Sequence, residues 1–272
     1  IYRTLEGADV QSYLAELIDR VRRHPRIKVY LNTTIEQVSG FVGNYKTILK
    51  SGDERREVIH GAAVVAIGGK EYKPTDYLYG QVPNVLTGLE LEKAIVEQSP
   101  EVLGARDVVM IQCVGSRTHE RPFCSKVCCS QSIKNALMLK EKNPAANIYI
   151  LYRDIRTYSF KEDYYREARE KGIIFIRYDE DRKPVVEPGE GSDGRQKLNV
   201  RVFDPVLQDE VIISADIVTL AVGMEPAEDR HEVAQFFKVP LNQDGFFLEA
   251  HVKLRPVEFA TDGIFLAGLA HA

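Results

Sequence analysis

The four cysteines of this 272-residue chain fall within seventeen consecutive positions, at Cys113, Cys124, Cys128 and Cys129. Four thiolates are the full ligand set of a [4Fe–4S] cluster and also of a structural zinc site. Zinc sites usually take cysteines from pairs spaced two to four residues apart, so the adjacent pair Cys128 and Cys129 favours iron–sulfur ligation. Zinc, a thiol redox site and four core cysteines are the alternatives. A disulfide is disfavoured because nothing marks the chain as secreted.

Composition and charge narrow the class of protein further. The sequence is 44% hydrophobic and 28% charged with a formal net charge of -4, which is typical of a globular protein of one large or two ordinary domains. No basic stripe with interleaved aromatics is present, which argues against a nucleic-acid binder. The densest basic run, at residues 20–26, is expected to end a helix. We find no signal peptide and no apolar run long enough to span a bilayer, so we expect a cytoplasmic protein.

Both ends of the sequence are typical of an excised fragment. The chain starts at Ile1 without a methionine, and its last residues, GIFLAGLAHA, form a hydrophobic strand that enters a glycine turn. Native domains seldom end inside such a unit, so we expect part of the functional site to lie outside this sequence.

Hydrophobic periodicity predicts one helix and several strands before residue 100. The apolar spacing from Asp9 to Arg23 is that of an amphipathic helix capped by Asp9. Residues 27–41 are predicted as strand, turn and strand, and residues 44–52 and 56–61 as further strands. Residues 61–72 are predicted as a buried strand with a double-glycine turn, and residues 86–98 as a helix.

Strand and helix patterns alternate from Asp107 onward. Strands are predicted at residues 107–112, 147–154 and 173–179, and helices at residues 125–142 and 160–172. This order predicts a doubly wound α/β domain with a parallel sheet and right-handed crossovers. A polar turn at residues 187–195, strands at 198–205 and 210–223, and a strand-rich segment at 244–268 are predicted to follow.

Two glycine turns resemble each other, AIGGKEY at residues 66–72 and AVGMEP at residues 221–226. Each follows an apolar strand, and glycine there lets the backbone approach a dinucleotide or a second chain segment closely. Together with the closing TDGIFLAG, they appear in the order seen in flavoproteins with two dinucleotide-binding domains.

The cysteine segment CVGSR…FCSKVCCSQSIKNALMLKE, the strand YILYRDIRTY and the closing TDGIFLAGLAHA resemble the A subunit of heterodisulfide reductase. They also resemble the related flavoprotein subunit of the quinone-interacting membrane-bound oxidoreductase complex. The resemblance covers nearly the whole chain, and the cysteine segment is its most specific part. It implies a thioredoxin-reductase-like α/β fold with Rossmann-type parallel sheets and an antiparallel β-meander, without the N-terminal FAD βαβ unit.

The same resemblance implies the domains, the cofactors and the activity. Residues 1–100 and 225–272 would form a partial FAD-binding domain, and residues 101–224 an inserted Rossmann-like domain that carries the cysteines. The implied chemistry is that of an oxidoreductase subunit that relays electrons between FAD and iron–sulfur clusters. Its implied partners are other subunits of the complex and an electron-donating hydrogenase, dehydrogenase or ferredoxin, without nucleic acid and without a membrane span.

The resemblance also implies site residues. The [4Fe–4S] ligands would be the four cysteines, and the residues on the FAD side are Val38, Ala66, Gly68, Gly69, Gly223, Asp262, Gly268, Leu269, Ala270 and His271. The G-x-G-x-x-G turn that cradles the FAD pyrophosphate is absent, so we expect weak FAD binding. The acidic residue that usually closes the flavin motif is absent too, because Leu269 follows Gly268.

The expected nucleotide turn of the inserted domain is replaced by CVGSR, in which only Gly115 remains. We therefore expect thiolates at a helix N-terminus where a pyrophosphate would lie. Arg153 and Arg156 are candidates for a 2′-phosphate site, but the broken glycine pattern favours ordinary ion pairs.

Three basic residues near the cysteines in sequence, Arg117, Lys126 and Lys134, are candidates to offset thiolate charge and raise a cluster's potential. Ordinary solvated surface is the favoured alternative for them. Two other functions stay open for the chain as a whole. One is a zinc-stabilised interaction domain without redox activity. The other is a pyridine-nucleotide-dependent flavin or disulfide reductase, which requires an attacking thiol pair and an intact nucleotide turn.

Overall fold

The computed structural model describes residues 1–191 and 196–271. The chain divides into two compact units. The first unit consists of residues 1–18 and 72–223, and the second of residues 19–71 and 224–272. Within the predicted polar turn at residues 187–195, residues 192–195 lie outside the described part.

The described residues form six α-helices: α1 (Val10–Arg23), α2 (Gly88–Val96), α3 (Pro100–Leu103), α4 (Cys128–Lys142), α5 (Glu162–Glu170) and α6 (Arg230–Phe237). They also form fifteen strands: β1 (Thr34–Phe41), β2 (Asn44–Ser51), β3 (Glu54–His60), β4 (Ala63–Val65), β5 (Gly69–Glu71), β6 (Val85–Thr87), β7 (Asp107–Val114), β8 (Asn147–Tyr152), β9 (Ile174–Arg177), β10 (Val185–Glu190), β11 (Gln196–Asp204), β12 (Asp209–Ala215), β13 (Ile217–Val222), β14 (Met224–Pro226) and β15 (Ile264–Leu266). Within the described residues, no helix has both the length and the apolar character needed to cross a membrane.

The first unit is built on a five-stranded parallel sheet in the order β6-β13-β7-β8-β9. Strands β7, β8 and β9 alternate with α4 and α5 along the chain, which is the predicted doubly wound pattern. The predicted parallel α/β architecture is confirmed. Strand β6 belongs to this unit because it pairs with β13 at the edge of the sheet.

Central strand β7 is covered on both faces, which explains its continuous apolar run. Met110 belongs to a core cluster with Ile133 of α4. The next residue, Ile111, belongs to a second cluster with Val200 of β11. An antiparallel sheet in the order β10-β11-β12 supplies that second face. The parallel sheet therefore lies between a helical layer and an antiparallel layer.

The second unit contains the antiparallel sheet β1-β2-β3, the parallel pair β15-β4 and the antiparallel pair β14-β5. Its core is aromatic at the centre, where Phe247 and Phe259 meet edge to face with ring centroids 5.8 Å apart. The predicted antiparallel meander is confirmed by β1 to β3.

Two stretches predicted as strand differ in the structure. Residues 27–31 are exposed and form no strand, and β1 begins only at Thr34. Alternating apolar residues signal a two-faced segment, but a strand also needs a pairing neighbour, and none of the described strands pairs with these residues. The segment 244–268 was predicted strand-rich, yet it contains β15 and isolated bridges between turns, because Phe247 and Phe259 supply core packing rather than a ladder.

Candidate metal centre

All four cysteines belong to one strand-to-helix connection of the first unit. Cys113 lies near the end of β7, Cys124 lies in the loop, and Cys128 and Cys129 open α4. This places the thiols at the carboxyl end of a parallel sheet, where open α/β folds bind ligands. They line one small cavity together with Gln112, Ser116, Arg117, Lys126, Asp154 and Arg156.

The backbone around the thiols adopts an unusual conformation. Cys113, Arg117 and Lys126 have φ angles of 62°, 57° and 59°, in the left-handed region that non-glycine residues seldom occupy. Such angles cost about 1–3 kcal/mol each and cluster at functional sites. The connection is therefore held in a demanding shape at the place where its cysteines meet.

The N-terminus of α4 faces the site without a side-chain cap. Val127 precedes the helix and makes no capping hydrogen bond. Cys128 and Cys129 form the first turn, where the partial positive charge of the helix dipole favours anionic sulfur. The structure places the cysteine pair at the helix position that the sequence analysis expected.

Burial disfavours the thiolate form of three of the cysteines. Burial raises the pKa of the Cys128 thiol to about 12, and the other three cysteines add to the rise. Burial also raises the pKa of Cys113 and of Cys129, although Arg117 opposes the rise at both. A nucleophilic thiol needs a lowered pKa. All four cysteines are free, so the arrangement does not favour the thiol–disulfide alternative.

Two thiols donate to main-chain carbonyls in this state. The Sγ of Cys128 lies 3.3 Å from the carbonyl oxygen of Val222, and the Sγ of Cys129 lies 3.7 Å from that of Asp154. The sulfur of Cys124 accepts the backbone N–H of Lys126 at 3.4 Å. Metal loading would remove the thiol protons and exchange these hydrogen bonds for ligation.

One buried amide at the site has no partner. Gln112 is fully buried, and neither its Nε2 nor its Oε1 makes a hydrogen bond. A buried amide without partners is costly, and such groups often mark the place of a missing ion or water. Since Gln112 lines the cavity beside Cys113, this orphaned amide and the four thiols fit a sulfur-rich ligand.

The donor geometry does not fit one ion. Within the described residues, no three His, Cys, Asp or Glu side chains converge closely enough to hold a single metal ion. Zinc–sulfur bonds of about 2.3 Å place tetrahedral thiolates only about 3.8 Å apart, whereas a four-iron cluster bonds its cysteines around a larger body. The cavity itself encloses about 10 Å³, roughly the room of one water. The connection must therefore move outward to admit a cluster.

Arg117 bridges the site to a carboxylate. Its Nη1 lies 3.9 Å from the Sγ of Cys113, and its Nη2 donates to Asp154 at 2.6 Å. The Arg117 side chain is largely buried, and its carbonyl accepts a hydrogen bond from Arg153. Arg117 is thus the predicted basic residue that the structure brings onto a cysteine.

Other predicted basic residues have different roles. Lys134 does not line the cysteine cavity, because its Nζ forms a buried ion pair with Glu92 at 2.5 Å. The solvated position favoured for Lys134 is therefore wrong, because its side chain is 6% exposed, and its pairing with Glu92 does not support the alternative role beside the thiols. Arg153 pairs with Glu180 at 2.6 Å, in line with the ion-paired role favoured for it. Lys126 lines the cavity and presents its backbone N–H to Cys124.

The residues implied for FAD fall mostly in the second unit. The turn at Gly68 and Gly69 lies against the backbone of Glu225 and Leu269. A Cβ at Gly69 would be 2.9 Å from the Glu225 carbonyl oxygen and 3.2 Å from the Leu269 carbonyl oxygen. Ala267 donates its N–H to the Val65 carbonyl at 2.9 Å. Ala66 lies in this turn, and Gly268 and Ala270 flank Leu269.

The other residues implied for flavin binding, Val38, Asp262, His271 and Gly223, lie at separate places in the fold. Val38 packs against the aromatic core of the second unit. The carbonyl of Asp262 accepts the Tyr45 hydroxyl at 2.7 Å, and His271 contacts Glu249 at 2.7 Å. Gly223 belongs to the first unit, where its N–H donates to the Val114 carbonyl. The glycine turns that meet near Leu269 fit a flavin contact, whereas the sequence has no G-x-G-x-x-G turn for the pyrophosphate.

Two site residues escaped the sequence analysis. Gln112 is the polar residue that ends the apolar run DVVMIQ immediately before the first cysteine, and that position was the available signal. Asp154 follows β8 and meets Arg117 only through the parallel pairing of β7 with β8. Spacing along the chain gives no indication of that pair.

The fold is shared with known flavoprotein reductases. The structure of thioredoxin reductase from T. acidophilum matches with a TM-score of 0.55 at 15% identity, covering 96% of this chain and 72% of that one. The reduced CoADR-RHD of Bacillus anthracis matches with a TM-score of 0.52 at 12% identity, over 97% and 42% of the two chains. The chain thus has a thioredoxin-reductase-like fold, with its four cysteines at the connection between β7 and α4.

Sequence comparison identifies the family within that class. The A 2 iron–sulfur subunit of the CoB–CoM heterodisulfide reductase of Methanopyrus kandleri is 39% identical over 237 residues, 79% of this chain and 35% of the relative. The A subunit of the H2:CoB-CoM heterodisulfide,ferredoxin reductase of Methanothermobacter marburgensis is 40% identical over 233 residues, 80% and 34%. The chain belongs to the family of heterodisulfide reductase A subunits and spans about a third of the length of these relatives. No protein-family model matches it.

Proposed function

We propose that this chain is the part of a heterodisulfide reductase-type oxidoreductase subunit that holds one [4Fe–4S] cluster through Cys113, Cys124, Cys128 and Cys129. The observation that carries the proposal is the meeting of four free thiols in one cavity of the first unit. The unpartnered Gln112 amide in the same cavity supports it. The M. kandleri relative is itself named an iron–sulfur subunit.

The residues of the chain would hold and shield such a group. A [4Fe–4S] cluster supplies one-electron exchange at a potential set by its surroundings. Cys128 and Cys129 are buried, so the first turn of α4 would keep water from that side. The helix N-terminus and the Arg117 guanidinium would offset thiolate charge. Arg156 and Lys126 add positive charge at the cavity wall.

We propose that residues 1–100 and 225–272 belong to the FAD-binding domain of the complete protein, and residues 101–224 to the inserted domain. The turn at Ala66, Gly68 and Gly69 and the neighbouring segment Gly268 to Ala270 would contact the flavin, with His271 beyond them. Val38, Asp262 and Gly223 are the other residues proposed for flavin binding in the complete protein. The open backbone of Gly68 and Gly268, at φ of 73° and 68°, supports close approach of a ligand.

The complete protein would relay electrons between FAD and iron–sulfur clusters. Its partners would be other subunits of a heterodisulfide reductase-type complex and an electron-donating hydrogenase, dehydrogenase or ferredoxin. One relative, from Methanosarcina acetivorans, is named a ferredoxin:CoB-CoM heterodisulfide reductase subunit. We propose a cytoplasmic location for the protein.

The test is iron and acid-labile sulfide content, with an absorption spectrum, on protein reconstituted without oxygen. We expect about four irons and four sulfides per chain, lost in Cys128→Ala and kept in Ser132→Ala. Ser132 is a matched control because it is a buried small polar residue on the same helix outside the cavity. One bound zinc without sulfide would make the site structural instead. Failure to bind either metal would refute the proposed site.

A further inference from the structure

Gln112 combines complete burial with a complete lack of hydrogen bonds from its side chain. Its main chain is well anchored, because its carbonyl accepts the buried Tyr178 hydroxyl at 2.6 Å. The side chain therefore cannot reach solvent without disrupting the central strand β7. Two unsatisfied atoms on one buried amide are a cost that an apolar residue of similar size would avoid. A role beside the cysteines explains why an amide stands there.

Arg117 also presents N–H donors to the cysteine sulfurs. Asp154 takes one Nη of its guanidinium at 2.6 Å, and the other Nη lies 3.9 Å from the Cys113 sulfur. A guanidinium carries five N–H donors in a fixed fork. The ion pair with Asp154 therefore orients the Arg117 guanidinium and leaves its other N–H groups available to the cysteine sulfurs.

We propose that Gln112 and Arg117 donate N–H groups to the sulfurs of the cluster and so raise its reduction potential. The inference rests on the proposed function. Reduction adds one electron and makes the cluster and its thiolates more negative, so N–H donors stabilise the reduced state more than the oxidised state. The two residues are positioning residues for electron transfer, and neither changes its covalent structure or gives up a proton.

Redox titration of reconstituted protein, followed by electron paramagnetic resonance, tests the proposal. Gln112→Met keeps the side-chain length and removes both polar atoms, and Arg117→Gln removes the charge. We expect both variants to keep the iron and sulfide content of the wild type and to titrate at a more negative potential. The double variant is expected to titrate lower than either single variant.

Thr219→Val is the matched control for loss of an unsatisfied buried polar atom. Thr219 is buried on β13, its hydroxyl makes no hydrogen bond, and it does not line the cysteine cavity. We expect Thr219→Val to leave the potential unchanged. A Gln112→Met protein that loses iron while remaining folded by circular dichroism would contradict the proposal, which assigns Gln112 to the potential and not to ligation.

Unchanged potentials in fully loaded Gln112→Met and Arg117→Gln would overturn this inference and leave the cluster proposal standing. Gln112 would then be a buried amide without hydrogen bonds and without a role at the cluster. Its replacement would only stabilise the metal-free protein, as Thr219→Val would. Wild-type protein that binds no iron would instead refute the proposed function, and this inference with it. Iron content and potential therefore separate the two failures.

Discussion

The ring of Tyr72 lies directly over Gly115, so that a methyl group at Gly115 would overlap it. The Arg121 guanidinium stacks on the ring at 4.2 Å from its centroid. In a dinucleotide-binding domain, this glycine turn leaves its surface open to a pyrophosphate. Here the chain covers that surface with its own aromatic side chain.

This contact predicts that Gly115→Ala is strongly destabilising. Gly115 has a φ of 67°, so alanine would carry both the left-handed backbone cost and the overlap with Tyr72, together about 2–4 kcal/mol. Gly172→Ala is the control, because Gly172 has a φ of 80° with open space around it and would carry the backbone cost alone. Urea unfolding of both variants measures the difference, and equal losses would contradict the steric argument.

Loss of Lys134 is expected to leave a buried carboxylate uncompensated. Glu92 is fully buried, and one of its oxygens also accepts the backbone N–H groups of Tyr2 and Arg3. Lys134→Met should lower the free energy of unfolding by about 3–5 kcal/mol. Chemical denaturation measures this loss.

Two further variants control the Lys134 experiment. Arg166→Ala breaks an exposed pair with Asp163 and should cost less than about 1 kcal/mol. Adding Glu92→Gln to Lys134→Met should recover part of the stability, because it removes the buried charge. A Lys134→Met loss as small as that of Arg166→Ala would show that the buried pair contributes little.

Stability is expected to fall in acid through Asp216. Burial alone would raise the pKa of this carboxyl, but the Lys197 ammonium at 2.8 Å and the backbone N–H groups of Arg106 and Asp107 outweigh burial and lower it. A carboxyl with a lowered folded pKa stabilises the fold fully above its unfolded pKa of about 3.9. That contribution is lost as pH falls through the folded pKa.

Urea midpoints at pH 7, 5 and 3 for wild type and Asp216→Asn check the Asp216 prediction. The stability difference should be similar at pH 7 and 5 and should shrink at pH 3. A difference that persists unchanged at pH 3 would assign the effect to packing rather than to charge.

Alkylation of the metal-free thiols is predicted to be slow and ordered. Cys128 and Cys129 are buried and carry raised pKa values, whereas Cys124 is partly exposed. Because the thiolate is the reactive form, iodoacetamide at pH 7 should modify Cys128 last, and its rate should rise as pH approaches about 12. Peptide mass spectrometry resolves the order. Rapid modification of Cys128 at pH 7 would contradict its burial.

Cluster loading is predicted to move the connection between β7 and α4. The cavity is too small for a cluster as it stands, and the Cys128 and Cys129 thiol hydrogen bonds must be exchanged. Hydrogen exchange should therefore differ between loaded and metal-free protein at residues 115–127. Exchange in β11, which lies on the far side of the sheet, serves as the internal reference. Identical exchange throughout would mean that loading needs no such movement.

The sequence predicts the parts of this molecule whose signal is local. The apolar run at Asp107, the helix ending before Pro144 and the cysteine pair opening α4 are each visible in short segments. Helix α6 and strand β6 were not predicted, because both are short. Strand β6 depends on pairing with the distant Val218, and α6 packs into the core with Phe247. Pairing of residues 27–31 was predicted from alternation, which carries no information about whether a neighbouring strand exists.

The same distinction applies to the site. The four cysteines lie within seventeen positions of the sequence, and their grouping predicts one shared site. Asp154 contacts Arg117, which lies 37 residues earlier in the sequence. Tyr72 contacts Gly115, which lies 43 residues later. Both contacts form only in the folded structure. Lys134 lies close to the cysteines in sequence, but it forms a buried pair with Glu92, which neither the favoured solvated role nor the charge-offsetting role predicts.

The four thiols all come from a single crossover between one strand and one helix. The antiparallel layer contributes no cysteine, and the helical layer contributes only the first two residues of α4. The end of β7, the loop that follows it and the first turn of α4 are therefore the only parts of the described fold that would have to change to remove all four thiols. The set of four thiols can thus change without substitutions in the rest of the domain.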